Sequence, residues 1–191
     1  MTAFLASRSD VLPDEARLEE TESGIAPTTD GWFIVNIRDA RWGRHEVFGA
    51  GCRFEGSGAE FSEYGINIRV LQPGEPACLY HRENAQEDFL VLAGDCLLLV
   101  EGEERRLKAW DFVHCPPETE HVFVGAGDEP CAILMVGTRV ADEKLFYPVS
   151  ELARAHGASV DEETTSGDEA YAKFPRPVPA RPDGWEKLPW T

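Results

Sequence analysis

The segment YHRENAQEDFLVLAG, residues 80–94, carries His81, Glu83 and Glu87 before it closes on Gly94. In an extended strand successive side chains face opposite ways, so His81 and Glu83 share one face and Tyr80 and Arg82 the other. Glu87 opens the next run, in which Phe89 and Val91 have its parity. An interior lined by Phe and Val, with a histidine and two carboxylates at one end, demands a cation, hydrogen bonds or protonation, because an unpaired buried carboxylate is costly. A divalent ion answers that demand. A second histidine, His121, follows Pro116 and Pro117 at the head of HVFVG, and Phe123 repeats its parity. Neighbouring antiparallel strands would bring it close to His81. Two histidines with one or two carboxylates and an open position suit Fe(II), Mn(II), Ni(II) or Zn(II). His81, Glu87 and His121 are therefore candidate metal ligands. Glu83 has three readings: a fourth ligand, a general base beside the ion, or a solvated loop acid.

These residues need strands to hold them. Runs rich in β-branched, aromatic and aliphatic residues predict strands near 32–38, 46–54, 66–72, 77–82, 87–93, 95–101, 105–107, 111–115, 120–125 and 131–138. LQPGEP, LAGD, VEGEE, CPPETE and GAGDEP divide them with the Gly, Pro and Asp of tight connections. Many short strands with no helices between them predict an all-β fold, an antiparallel sandwich or barrel. Residues 1–30 hold seven acids against two arginines and predict a loosely ordered N-terminal arm. Residues 31–140 form the barrel, and 141–191 a helical and proline-rich extension. In the extension Ser150 can cap a short helix stopped by Gly157, and Ser166 with Glu169 fits a capping box. The tail PRPVPARPDGWEKLPWT is too rich in proline for regular structure. Its Trp185 and Trp190 predict a seat on apolar surface, of this chain or of a neighbouring subunit.

A chain of 191 residues suffices for one core with extensions. Its formal net charge of −17 argues against nucleic acid and anionic membrane as partners. No run of 18 apolar residues marks a spanning helix, and the N-terminus lacks the pattern of a secretory signal, which predicts a cytoplasmic protein. Cys52, Cys78, Cys96, Cys115 and Cys131 are odd in number and lack CxxC spacing, so packed reduced thiols are expected rather than disulfides or a zinc finger. His114 reads as a structural or pocket residue, and His45 and His156 as lying outside the lumen.

Residues 74–94, GEPACLYHRENAQEDFLVLAG, resemble the first motif of the cupin superfamily: a glycine, a HisxHis pair, a glutamate, then six residues to a closing glycine. Residues 111–125, DFVHCPPETEHVFVG, resemble its second motif, in which a proline stands five positions before the last metal-binding histidine, as Pro116 stands before His121. The resemblance covers roughly residues 64–138 and implies a single cupin domain, a jelly-roll β-barrel. It places the HisxHis pair on His81 and Glu83, so that a glutamate replaces the second histidine. Glu118 stands in place of a glycine and Gly125 in place of an asparagine. The implied protein is a metal-dependent enzyme of oxygenase, isomerase or lyase type, acting on a small polar or organic-acid metabolite. The alternative is a non-catalytic small-molecule binding or sensing protein with a structural metal. A homodimer joined by a sheet edge or the Trp-bearing tail is expected.

Overall fold

The computed structural model describes residues 13–191. The chain runs through β1 (Leu18–Thr21), β2 (Gly24–Pro27), β3 (Arg41–Arg44), β4 (Ala50–Arg53), β5 (Tyr64–Leu71), β6 (Arg82–Glu83) and β7 (Glu87–Ala93). It continues through β8 (Asp95–Val100), β9 (Glu103–Lys108), β10 (Phe112–Cys115), β11 (His121–Ala126), β12 (Cys131–Thr138) and β13 (Leu145–Phe146). Two short helices, α1 (Glu151–Ala155) and α2 (Gly167–Tyr171), precede β14 (Val178–Pro179). The larger sheet has the order β10-β7-β12-β5-β4-β3-β14 and the smaller β11-β8-β9. The strands pair antiparallel throughout both sheets, giving the all-β jelly-roll barrel expected.

Strand alternation decides what each face buries. Leu71, Phe89, Val91, Leu98, Phe123 and Ile133 turn inward from both sheets and fill the lumen. The opposite parity on the larger sheet puts Trp42, Ile68, Val70 and Ala132 outside, where Leu188, Trp185 and Trp190 cover them. On the smaller sheet Leu99, Val122 and Val124 face outward onto Ala153 and Ala158 of the extension. β11 is consequently buried at every position. Each large apolar side chain so covered contributes roughly 1.5–3 kcal/mol, which makes the extension part of the fold's stability. The tail tryptophans thus lie on the chain's own apolar surface: Trp42 meets Trp185 edge-on at 5.5 Å and Trp190 at 5.8 Å.

Five local expectations are corrected. Of the arm expected over 1–30, residues 1–12 lie outside the described residues, and 18–27 form a hairpin held by non-local bonds from Ile25 N to Asp39 O (2.7 Å) and Trp42 N to Ser23 O (2.8 Å). Residues 32–38 and 77–82 are not continuous strands. Within the latter, Tyr80 N donates to Ala158 O and Leu79 N to the Tyr171 hydroxyl, so the extension takes the bonds a ladder would use. In 46–54 the first half is the turn closed by His45 N to Gly49 O, and only 50–53 is strand. The proline-rich tail contributes β14, which pairs with β3 as an edge strand, the position proline tolerates. Both helix caps form as predicted, Ser150 Oγ accepting from Ala153 N and Ser166 Oγ from Glu169 N. The box at α2 is half-made, because the Glu169 carboxylate takes Thr164 Oγ1 instead.

Candidate metal centre

Glu87 heads β7 and shares its inner face with buried Phe89 and Val91, as parity requires. His121 heads β11 and is 3% exposed. His81 sits just before β6, and the two histidines form an isolated antiparallel bridge, with His121 N to His81 O at 2.8 Å and His81 N to His121 O at 3.3 Å. That bridge sets the two rings side by side with centroids 5.2 Å apart. One ligand atom from each of His81, Glu87 and His121 lies within 4.8 Å of the others. The expected neighbourhood of His81 and His121 therefore exists, with Glu87 as its carboxylate.

The hydrogen bonds around the rings matter as much as the spacing. His81 Nδ1 lies 2.8 Å from Leu79 O, and His121 Nδ1 lies 3.0 Å from Thr119 O. A carbonyl can only accept, so each Nδ1 carries a proton and Nε2 is the nitrogen left to coordinate an ion. Metal-bound histidines are oriented in this way. His121 Nε2 stands 3.2 Å from a Glu87 carboxylate oxygen. Ligands held at about 2.0–2.2 Å from one ion lie roughly 3–4 Å apart, so the three side chains fit a divalent cation with adjustments of rotamer size. Tyr147 stacks on His81 (5.7 Å between centroids, 28°) and Phe89 packs against His121 (5.2 Å), which limits ring rotation.

Glu83 stands outside this group of three. It is half-buried, and its carboxylate approaches the same space as Glu87: a Cβ at Gly137 would sit 3.9 Å from Glu83 Oε1 and 3.7 Å from Glu87 Oε1. The two carboxylates respond oppositely to that crowding. Burial and the neighbouring charge of Glu87 push Glu83 up to about 7. Burial also pushes Glu87 upward, but the hydrogen bond to His121 and the His121 and His81 charges carry it below the usual carboxylate range. Glu83 is thus a carboxyl able to exchange a proton near neutrality, beside one that stays ionised.

The remaining histidines lie elsewhere. His45 is buried and satisfied: its Nδ1 accepts from Val47 N and Phe48 N, and its Nε2 donates to Pro175 O. His114 pairs with Asp88 and His156 with Glu104 near the surface. All five cysteines are free. Cys78 Sγ lies 3.7 Å from His81 Nδ1, and burial pushes its thiol up to about 11, so it remains protonated and a poor nucleophile. Tyr80 and Arg82 turn away from the site as parity predicts. Tyr80 is buried beneath the extension, and Arg82 pairs with Glu118 and Glu120. Residue patterns overlooked Gly137, which lies beside both carboxylates. A glycine inside the strand run CAILMVGT was the available signal.

Comparison with known families now bears on this geometry. Residues 67–137 match the cupin domain family. The chain contains a cupin domain. A gentisate 1,2-dioxygenase from Aquipseudomonas alcaligenes is 27% identical over 107 residues, 56% of this chain. The match takes in 30% of the dioxygenase's length, so the two proteins correspond only in part. Among solved structures, a sugar phosphate isomerase of the cupin superfamily from Silicibacter pomeroyi superposes with a TM-score of 0.54 at 24% identity, covering 61% of this chain and 82% of that one. A polyketide cyclase from Streptomyces resistomycificus superposes with a TM-score of 0.51 at 14% identity, over 59% of this chain and 83% of that one. At these identities the solved structures establish the cupin fold. Among the described residues no helix is long and apolar enough to cross a membrane.

Proposed function

We propose that the protein is a metal-dependent enzyme in which His81, Glu87 and His121 hold a divalent ion and Glu83 serves as general base toward a small polar or organic-acid metabolite. The observation that carries this reading is the pair of Nδ1–H bonds to Leu79 O and Thr119 O, which commit both Nδ1 atoms and leave the Nε2 atoms as the ligand nitrogens, that of His121 3.2 Å from the Glu87 carboxylate. A divalent ion there supplies Lewis acidity toward a bound oxygen, and a redox-active one supplies electron transfer as well. The chain's own residues do the rest. Glu83, a half-buried carboxyl beside Glu87, takes or returns a proton at a substrate atom within its reach. Phe89 and Phe123 close the lumen behind His121 and keep bulk water from the reacting groups. The dioxygenase relative supports oxygenation as the first chemistry to assay, with isomerase and lyase reactions next.

The runner-up reading, a non-catalytic binding or sensing protein with a structural ion, calls for a closed shell of protein ligands. Glu83 standing outside the group of three favours an open position and hence the enzyme. Five free cysteines support a reducing, cytoplasmic setting. The partners proposed are a small-molecule substrate and a second copy of the chain, with neither nucleic acid nor membrane.

Elemental analysis of freshly purified protein tests the assignment. Iron, manganese, nickel or zinc is expected near one equivalent in the wild type and in Glu83→Gln. Folded His81→Ala and His121→Ala should lose most of it. Full retention in both histidine variants would sink the ligand assignment, whereas loss from Glu83→Gln would make Glu83 a fourth ligand and favour the structural ion.

A further inference from the structure

The concave face of the larger sheet continues beyond the lumen. Cross-strand register carries one row of inward positions from Glu87 through Gly137 to Gly65. The next runs from Phe89 through Met135 and Asn67 to Arg53 and Arg41, and a third from Val91 through Ile133 to Arg69 and Gly51. Past β12 this face becomes an open trough of about 680 Å³ whose wall carries Arg41, Arg53, Arg69, Arg139 and Arg176. Five guanidinium groups gathered on a chain of net charge −17 run against its composition. Glu55, the acid on that wall, is already engaged by Arg139 (2.8 and 2.9 Å) and by Phe61 N (2.7 Å). Arg53, Arg69 and Arg176 have no side-chain hydrogen bond or ion pair among the described residues.

Arg69 is the innermost of the three. It lies across Gly51, where a Cβ would come 3.2 Å from its Nη1, so the glycine seats the guanidinium. Burial pushes its pKa below the usual arginine range. Arginine nevertheless stays charged in proteins, and a partly desolvated charge with no counter-ion is destabilising until an anion meets it. Two positions along the same strand face, Asn67 Oδ1 is buried without a hydrogen-bond partner. Arg69 also lines a second cavity, of about 350 Å³, together with Cys78, whose sulfur lies against His81. Between Glu87 and the trough the sheet bears only Gly137 and Gly65. Arg139 Nη2 lies over Gly65, 3.6 Å from where its Cβ would be, and the Glu87 carboxylate lies beside Gly137.

We propose that this trough, with Arg69 as its anchoring guanidinium, binds the oxyanion head group of a small organic anion whose other end extends toward Glu87. The planar fork of arginine matches a carboxylate or a phosphate with two parallel hydrogen bonds, and the arginines around it draw the anion in. The inference rests on His81, Glu87 and His121 being the reacting end.

The test is calorimetric titration of chelator-treated protein, with malonate in one arm and inorganic phosphate in the other. Wild type should bind at least one of them, and the tighter arm names the head group. Arg69→Met should weaken that binding about tenfold or more. Arg82→Met, which removes a surface guanidinium already paired with Glu118 and Glu120, should leave it unchanged. A measurement on unaltered protein guards against misfolding of the variant: a saturating probe should slow modification of Arg69 by phenylglyoxal in peptide maps. Binding of neither probe, unaltered affinity in Arg69→Met, or an unprotected Arg69 would overturn the proposal. His121→Ala should lose metal yet keep its anion affinity, and Arg69→Met the reverse, so the two readings fail separately.

Discussion

Glu83 and Glu87 lie four positions apart, and their surroundings move them in opposite directions, which gives the site a measurable signature without any substrate. Unfolded, Glu83 titrates near its ordinary value of 4.5; folded, it titrates at about 7. Between those values the folded chain binds more protons than the unfolded one. Stability therefore falls as pH rises from 4.5 through 7, and this group contributes no slope on either side of that window. In chelator-treated protein the melting temperature should decline across the window, and Glu83→Gln should flatten that part of the profile. An unchanged slope in the variant would remove Glu83 as its cause. At this scale much was legible beforehand. The parity of Glu87 with Phe89 and Val91, and of His121 with Phe123, follows from strand geometry alone. The Nδ1 bonds were hidden, because the carbonyls of Leu79 and Thr119 are positioned by the chain's path and not by residue type. Arg69 was legible but passed over: Leu71, Arg69 and Asn67 alternate in INIRVL, and an inward leucine implies an inward arginine.

Elements held by local chemistry were easy to foresee, and those held by distant chain were not. The run 131–138 forms as Cys131–Thr138 because its apolar residues serve the lumen on one face and the covered outer surface on the other. β1 and β2, by contrast, are short, β1 carries two glutamates, and their support comes from Asp39 and Trp42. The connection between β7 and β8 is a local device with a sharp requirement. Gly94 has φ +71°, and a Cβ there would stand 2.6 Å from Pro130 O. Gly94→Ala combines a left-handed backbone with that overlap, so a loss of at least about 1–3 kcal/mol is expected. A urea melt would register it as a lower midpoint with little change in slope. A midpoint equal to that of wild type would mean that the turn relaxes freely.

For the whole molecule, the question is which surface remains for a second copy. The tail tryptophans are occupied within the chain, while β10 forms the free edge of the larger sheet, with Phe112 65% exposed and Trp110 beside it 74% exposed. An apolar edge of this kind invites pairing, so the proposed homodimer should use β10. Light scattering should give twice the 21.2 kDa of the chain, and Trp110→Asp should return it to the monomer mass. A wild-type monomer at micromolar concentration would discard the dimer. The packing of Trp42, Trp185 and Trp190 has an optical consequence. Three of the five tryptophans share one cluster, Trp42 buried and Trp185 and Trp190 partly so, while Trp32 and Trp110 stand largely in water. Lifting the tail from the sheet would wet the clustered indoles together. Their emission would shift to longer wavelength and their coupled near-ultraviolet dichroism would vanish, so the intact chain carries its own built-in dye for the seating of its last residues.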